Sequence, residues 1–94
     1  MKSAEWEQAS RHPSYTPDAF AEDGFIHCCT AEQLTYVGER YFRGQQDLVV
    51  LFIDETLISS PVKYEDLAAE NMLFPHVYGA LNTSAVKNVL AFPL

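Results

Sequence analysis

"FIHCCTAEQLTYVGERYFRG", residues 25–44, decides the fold class, because its side-chain pattern changes once, near the middle. Phe25 to Cys28 reads as a short strand. Thr30 then opens a helix: "TAEQ" matches a capping box, in which the Thr30 hydroxyl takes the Gln33 amide and Gln33 reaches back. Leu34, Val37, Tyr41 and Phe42 follow at helical spacing, and Gly44 suits a left-handed cap. A strand followed by a helix is the first sign of an α+β chain.

On the C-terminal side, "DLVVLFID" (47–54) holds an unbroken apolar run from Leu48 to Ile53, rich in branched residues. Such a run predicts a central strand covered on both faces. "ETLISSP" is a connection. In "VKYED", Val62 and Tyr64 alternate with Lys63 and Glu65, as in a half-exposed strand. "LAAENMLF" fits one helical turn or irregular structure. "FPHVYG" is bounded by Pro75 and Gly79. It places His76 and Tyr78 two residues apart, hence on one side of an extended chain. "LNTSAVK" predicts a brief helical turn entered through Asn82 or Thr83, and "VLAFPL" a last strand. On the N-terminal side, "SAEWEQAS" predicts a short helix capped by Ser3 and anchored by Trp6 and Ala9. "RHPSYTPDAF" reads as a loop stiffened by two prolines, and "AEDG" as a turn. The result is one α+β domain over residues 1–94, with short strands outnumbering helices.

Composition narrows the function classes. Ninety-four residues suit a single core, and 48% apolar residues suffice to build it. No apolar run nears the about 18 residues of a membrane span, and the start is not a signal peptide. Thirteen acidic residues against six basic ones give a net charge of −7. That field disfavours a broad nucleic-acid surface but permits a small anion held by local cations. The two cysteines are adjacent, which argues against a disulfide framework and makes the cytoplasm the expected compartment.

Several residues could carry chemistry. On a strand, His27 and Cys29 face one way and Cys28 the other. His27 is a pocket candidate, with Cys29 and Thr30 beside it and the amides of a helix start following. A bond from His27 to nearby backbone is the plainer alternative. Cys29 has the two features that lower a thiol pKa, a neighbouring histidine and a helix start. His27, Cys29 and His76 are conceivable zinc donors, yet the paired spacing of zinc ligands is missing, so no metal is expected. Arg40 and Arg43 lie three apart, as in a phosphate clamp, or they serve the helix dipole. Glu65 suits a carboxylate that orients a ribose hydroxyl, or a surface residue.

"DGFIHCCTAEQL", "YFRGQQDLVVLFID", "VKYED" and "LFPHVYGALNTSAV" together resemble the bacterial domain-of-unknown-function family 952, over nearly the whole chain from Trp6. The resemblance implies an ADP-ribosyltransferase-like fold: a bent, split mixed sheet with two or three short helices, holding NAD in a cleft. It implies that a histidine holds a ribose and a tyrosine stacks on nicotinamide. On that analogy His27, Thr30, His76 and Tyr78 line the cleft; with the residues read above, the expected catalytic residues are His27, His76 and Glu65, and the expected ligand-binding residues Thr30, Tyr78, Arg43 and Cys29. NAD enters as a substrate for ADP-ribosyl transfer or related chemistry. A small-molecule nucleotide is the partner, and the chain is a monomer or weak homodimer. The rival expectations are a non-catalytic domain binding a small molecule or protein, and a zinc or thiol site. Family members usually begin with a further strand before the "EW" helix, for which Met1 to Ala4 leave no room. They often carry serine where Cys29 stands, which argues against an essential thiol.

Overall fold

The computed structural model describes residues 1–93. Its elements run α1 (Ser3–Ala9), β1 (Ser14–Tyr15), α2 (Phe20–Asp23), β2 (Ile26–His27), α3 (Leu34–Tyr41), β3 (Leu48–Ile53), β4 (Val62–Glu65), β5 (Phe74–Val77), β6 (Leu81–Asn82) and β7 (Val86–Phe92). Single 3-10 turns lie at Ala31–Gln33, Glu55–Leu57 and Thr83–Ala85. The sheet is split into a β2-β5-β4 unit and two pairs, β1-β6 and β3-β7. Every pairing is antiparallel, where mixed pairing was expected. The 66–73 connection shows why for β4 and β5: a parallel partner needs a crossover of a dozen or more residues.

The expected α+β architecture is present, with four differences in detail. β3 is not a central strand. It pairs with β7 alone among the named strands, and five of its six residues are half-buried. Part of its other edge is taken by the chain start, where Val49 N–H donates to Met1 O at 2.9 Å. The buried central strand is β5, in which Pro75, His76 and Val77 are all buried. Ser3 does not cap α1. It is the first helical residue, and its amide donates to Asp47 O at 2.8 Å, so that donor needs no side-chain cap. The "AEDG" turn is one helical turn, α2, closed by Gly24 in the left-handed conformation at φ 77°. The loop before it contains β1.

The strand-to-helix passage forms with shorter elements than read: the strand covers Ile26–His27, a 3-10 turn at Ala31–Gln33 follows Thr30, and α3 ends at Tyr41 with Phe42 at its C-cap, two residues before the left-handed Gly44. Thr30 N–H donates to Gln33 Oε1 at 2.9 Å, the reach-back half of the capping box. Gln33 Nε2 donates onward to Leu73 O at 2.9 Å, fastening this helix start to the chain entering β5.

The core lies on one face of β2-β5-β4. Ile26, Val77, Leu81 and Ala85 form it, with Phe20, Cys28, Ile53, Ile58, Val62 and Val86 packed around them. The pairings Ile26↔Val77 and Val62↔Val77 put these residues in one row. Directly opposed residues of an antiparallel pair share a face, and alternate residues take the other. The register that buries Ile26, Val62 and Val77 therefore sends His27, Lys63 and His76 to the opposite side. Among the described residues, no helix is long and apolar enough to cross a membrane.

Candidate functional site

That opposite side is the candidate site. The pairings His27↔His76 and Lys63↔His76 set three polar residues in a row across the sheet. Phe25, two before His27, and Tyr78, two after His76, extend the row along β2 and β5. Phe25 is the wedge between them. Its ring stacks on His76 with centroids 4.1 Å apart and planes at 25°. It also meets His27 at 4.7 Å and Tyr78 at 5.3 Å. His27 and His76 meet edge to face at 5.5 Å.

Glu65 joins two of these residues. Its Oε1 accepts from Tyr78 Oη at 2.5 Å and pairs with His76 Nδ1 at 3.0 Å. The hydrogen bonds from Tyr78 and His76, in that order, hold the Glu65 carboxyl below its usual value. An ionised carboxylate only accepts, so the proton of the second contact sits on His76 Nδ1. In return, the bond to Glu65, with desolvation and charge behind it, raises the Tyr78 phenol. His76 is 4% exposed, the one buried polar side chain among the described residues. It is therefore a satisfied, oriented imidazole, not the solvated turn residue that "FPHVYG" alone would allow.

His27 stands in the open, with 63% of its side chain exposed, and its Nε2 meets Asp23 Oδ2 at 2.9 Å. Both imidazoles are thus oriented by a carboxylate, His27 from α2 and His76 from β4. His27 Nδ1 and His76 Nε2 make no hydrogen bond among the described residues. Lys63 completes the row, with its ammonium 4.9 Å from the Tyr78 ring centroid.

The sequence-derived candidates separate here. His27, His76, Glu65 and Tyr78 come together. Thr30 is committed to the helix start, where its amide is taken by Gln33. Arg43 lies elsewhere, in a shallow depression with Tyr36, Glu39 and Arg40. Cys29 is half-buried, and burial pushes its thiol up, away from the thiolate form. The Cys28 thiol rises to about 11, mainly through burial. Among the described residues, no group of three or more His, Cys, Asp or Glu side chains could hold a metal ion.

Sequence reading missed Phe25, Asp23 and Lys63. The alternation that paired His27 with Cys29 also pairs His27 with Phe25, so Phe25 was within reach. Asp23 closes α2 and His27 lies on β2, with the left-handed Gly24 between them, so neither the helical nor the strand period pairs the two. Lys63 needed the register of β4 on β5.

A family model described as "Protein of unknown function (DUF952)" matches residues 1–89. The chain belongs to the DUF952 family. It is similar to the crystal structure of protein CC0527 from Caulobacter crescentus, with 29% identity and a TM-score of 0.84 over 97% of this chain and 80% of that one. A double-mutant form of CC0527 matches with a TM-score of 0.83, at the same identity and coverage. No curated protein matches this DUF952 chain.

Proposed function

We propose that the face built from Phe25, His27, Glu65, His76 and Tyr78 binds NAD or an ADP-ribose-like nucleotide. One observation carries the reading: a single carboxylate oxygen of Glu65 holds both His76 and Tyr78, beside an aromatic wall that Phe25 makes continuous with His27. Flat rings suit a base or a nicotinamide, which present apolar faces with polar rims. His27 Nδ1 is placed to meet a ribose hydroxyl. The face also suits a chemical step. When nicotinamide leaves, its C–N bond breaks, the electron pair departs with the base and the ribose becomes cationic. An ionised Glu65 stabilises that cation more than the neutral ribose before it. Water or an acceptor hydroxyl then bonds to the ribose carbon and loses its proton to solvent, so no protein nucleophile is needed.

Burial of His76 favours a second reading, binding without chemistry, because a ring 4% exposed has little room to exchange protons with a ligand. Release of free nicotinamide from NAD, followed by chromatography, separates the two readings.

Binding itself is tested by thermal unfolding. Millimolar NAD or ADP-ribose should raise the melting temperature, as any ligand of the folded state does, and His27→Ala should remove the rise. An unchanged melt with both compounds would end the nucleotide reading.

A further inference from the structure

We infer that Lys63 is the residue of this face that holds an anionic group, a phosphate or diphosphate, of the ligand. The inference rests on the reading of the face as a ligand-binding surface and adds the chemical class of one contact. Among β2, β4 and β5, Lys63 is the single lysine or arginine. The pairing Lys63↔His76 places it beside the buried imidazole, on the same side of the sheet as Glu65 and Tyr78. Its ammonium lies 4.9 Å from the Tyr78 ring centroid, within the range of a cation–π contact. The contact draws the ammonium toward this face and leaves N–H donors for a ligand. Among the described residues Lys63 makes no hydrogen bond and no ion pair.

Two other cations of this acidic chain are spent locally. Lys2 donates to Gln46 O at 2.8 Å, and Arg11 pairs with Glu7 at 3.3 Å. The remaining ones stand elsewhere: Arg40 and Arg43 in the depression with Tyr36 and Glu39, and Lys87 on β7, outside the β2-β5-β4 unit. The helix start after Cys29, the other place where an anion was expected, has the Thr30 amide already committed to Gln33. With a net charge of −7, long-range attraction does not bring an anion to this protein. An ammonium with open donors supplies the attraction locally, at the rim of the aromatic wall. It sits two residues from Glu65 on one strand. A ligand carrying a phosphate on one side of a ribose and developing positive charge on the other finds both charges matched.

The test titrates wild type, Lys63→Met and Lys63→Arg with pyrophosphate and with ADP-ribose, followed by NMR shifts of the Lys63 amide and the Tyr78 ring. Lys63 is exposed, and methionine keeps an apolar stem over Tyr78, so all three should fold. Lys63→Met should weaken both ligands about ten- to a hundredfold, as loss of a charged hydrogen-bond partner does, and Lys63→Arg should restore most of the affinity. Equal ADP-ribose affinity in wild type and Lys63→Met overturns the role of Lys63 and leaves the nucleotide reading standing. Pyrophosphate binding at Lys63 without nucleotide binding does the reverse. Wild type that binds neither compound overturns both.

Discussion

β3 and β5 are instructive opposites. β3 (Leu48–Ile53) is wholly apolar, yet it belongs to a two-stranded ribbon and leaves most of its side chains half-buried. β5 (Phe74–Val77) contains a proline and a histidine, yet it is the central strand of the larger unit and the most deeply buried. Apolar content reports how much of a strand prefers to leave water, not where the strand stands. Position follows from how many neighbours pair with it. β5 has β2 on one edge and β4 on the other. That double coverage is what buries His76 and brings Glu65 within reach of it.

The largest effect should separate the two strands directly. Val77 is 1% exposed, so Val77→Ala should cost about 2–3 kcal/mol. Val50→Ala, at a half-buried position in β3, should cost about 1 kcal/mol. Urea unfolding of both variants measures the difference, and equal losses would break the comparison.

A glycine pair sharpens it. At Gly79, just past β5, φ is 152° and an added Cβ would lie 2.4 Å from Ser60 Oγ, so Gly79→Ala should cost about 2 kcal/mol. Ser60 donates to Ala80 O at 2.8 Å, so its hydroxyl cannot move without losing that bond. At Gly38 an added Cβ would lie 2.4 Å from Phe92 Cζ of β7. There the gain in helix propensity, about 1 kcal/mol, offsets part of the clash, and Gly38→Ala should cost about 1 kcal/mol net. Melting temperatures in that order support the ranking.

The smallest effect tests the polar side of β5. Glu65 titrates below its ordinary value because Tyr78 and His76 hydrogen-bond its ionised form. A depressed carboxyl stabilises the fold above its unfolded pKa, about 4.3, and that contribution is lost as the pH falls through the lower folded value. Wild type should therefore unfold at higher urea than Glu65→Gln at pH 7, and the gap should close as the pH falls below about 4. In the same variant the Tyr78 phenol should titrate nearer its ordinary value, read by NMR of the Tyr78 ring. A gap that persists in acid, or an unmoved Tyr78, would show that Glu65 does not bind these residues through its charge.

Much of the fold was legible from short-range pattern. The capping box at Thr30 and Gln33 forms where the spacing placed it. The turn at Thr83–Ala85 has Asn82 at its N-cap position, as its composition suggested. The same-side placement of His76 and Tyr78 follows from strand alternation and is realised through their common acceptor. The readings that failed depended on partners far along the chain. Ser3 seemed a cap until Asp47 was seen to accept its amide. Arg43 was expected among the ligand-binding residues, but it lies with Tyr36, Glu39 and Arg40.

By itself, the amino-acid order determined the α+β class, the main strands and helices, and which side chains share a side of each strand. These are local consequences of backbone geometry, with periods of two and 3.6 residues. Tertiary structure alone decided which strand is central, that Phe25 lies between His27, His76 and Tyr78, that Glu65 ties two of them, and that Lys63 stands beside them with its donors open. Those facts depend on register between segments tens of residues apart, and register is set by burying Ile26, Val62 and Val77 together, a cooperative choice that no single segment encodes.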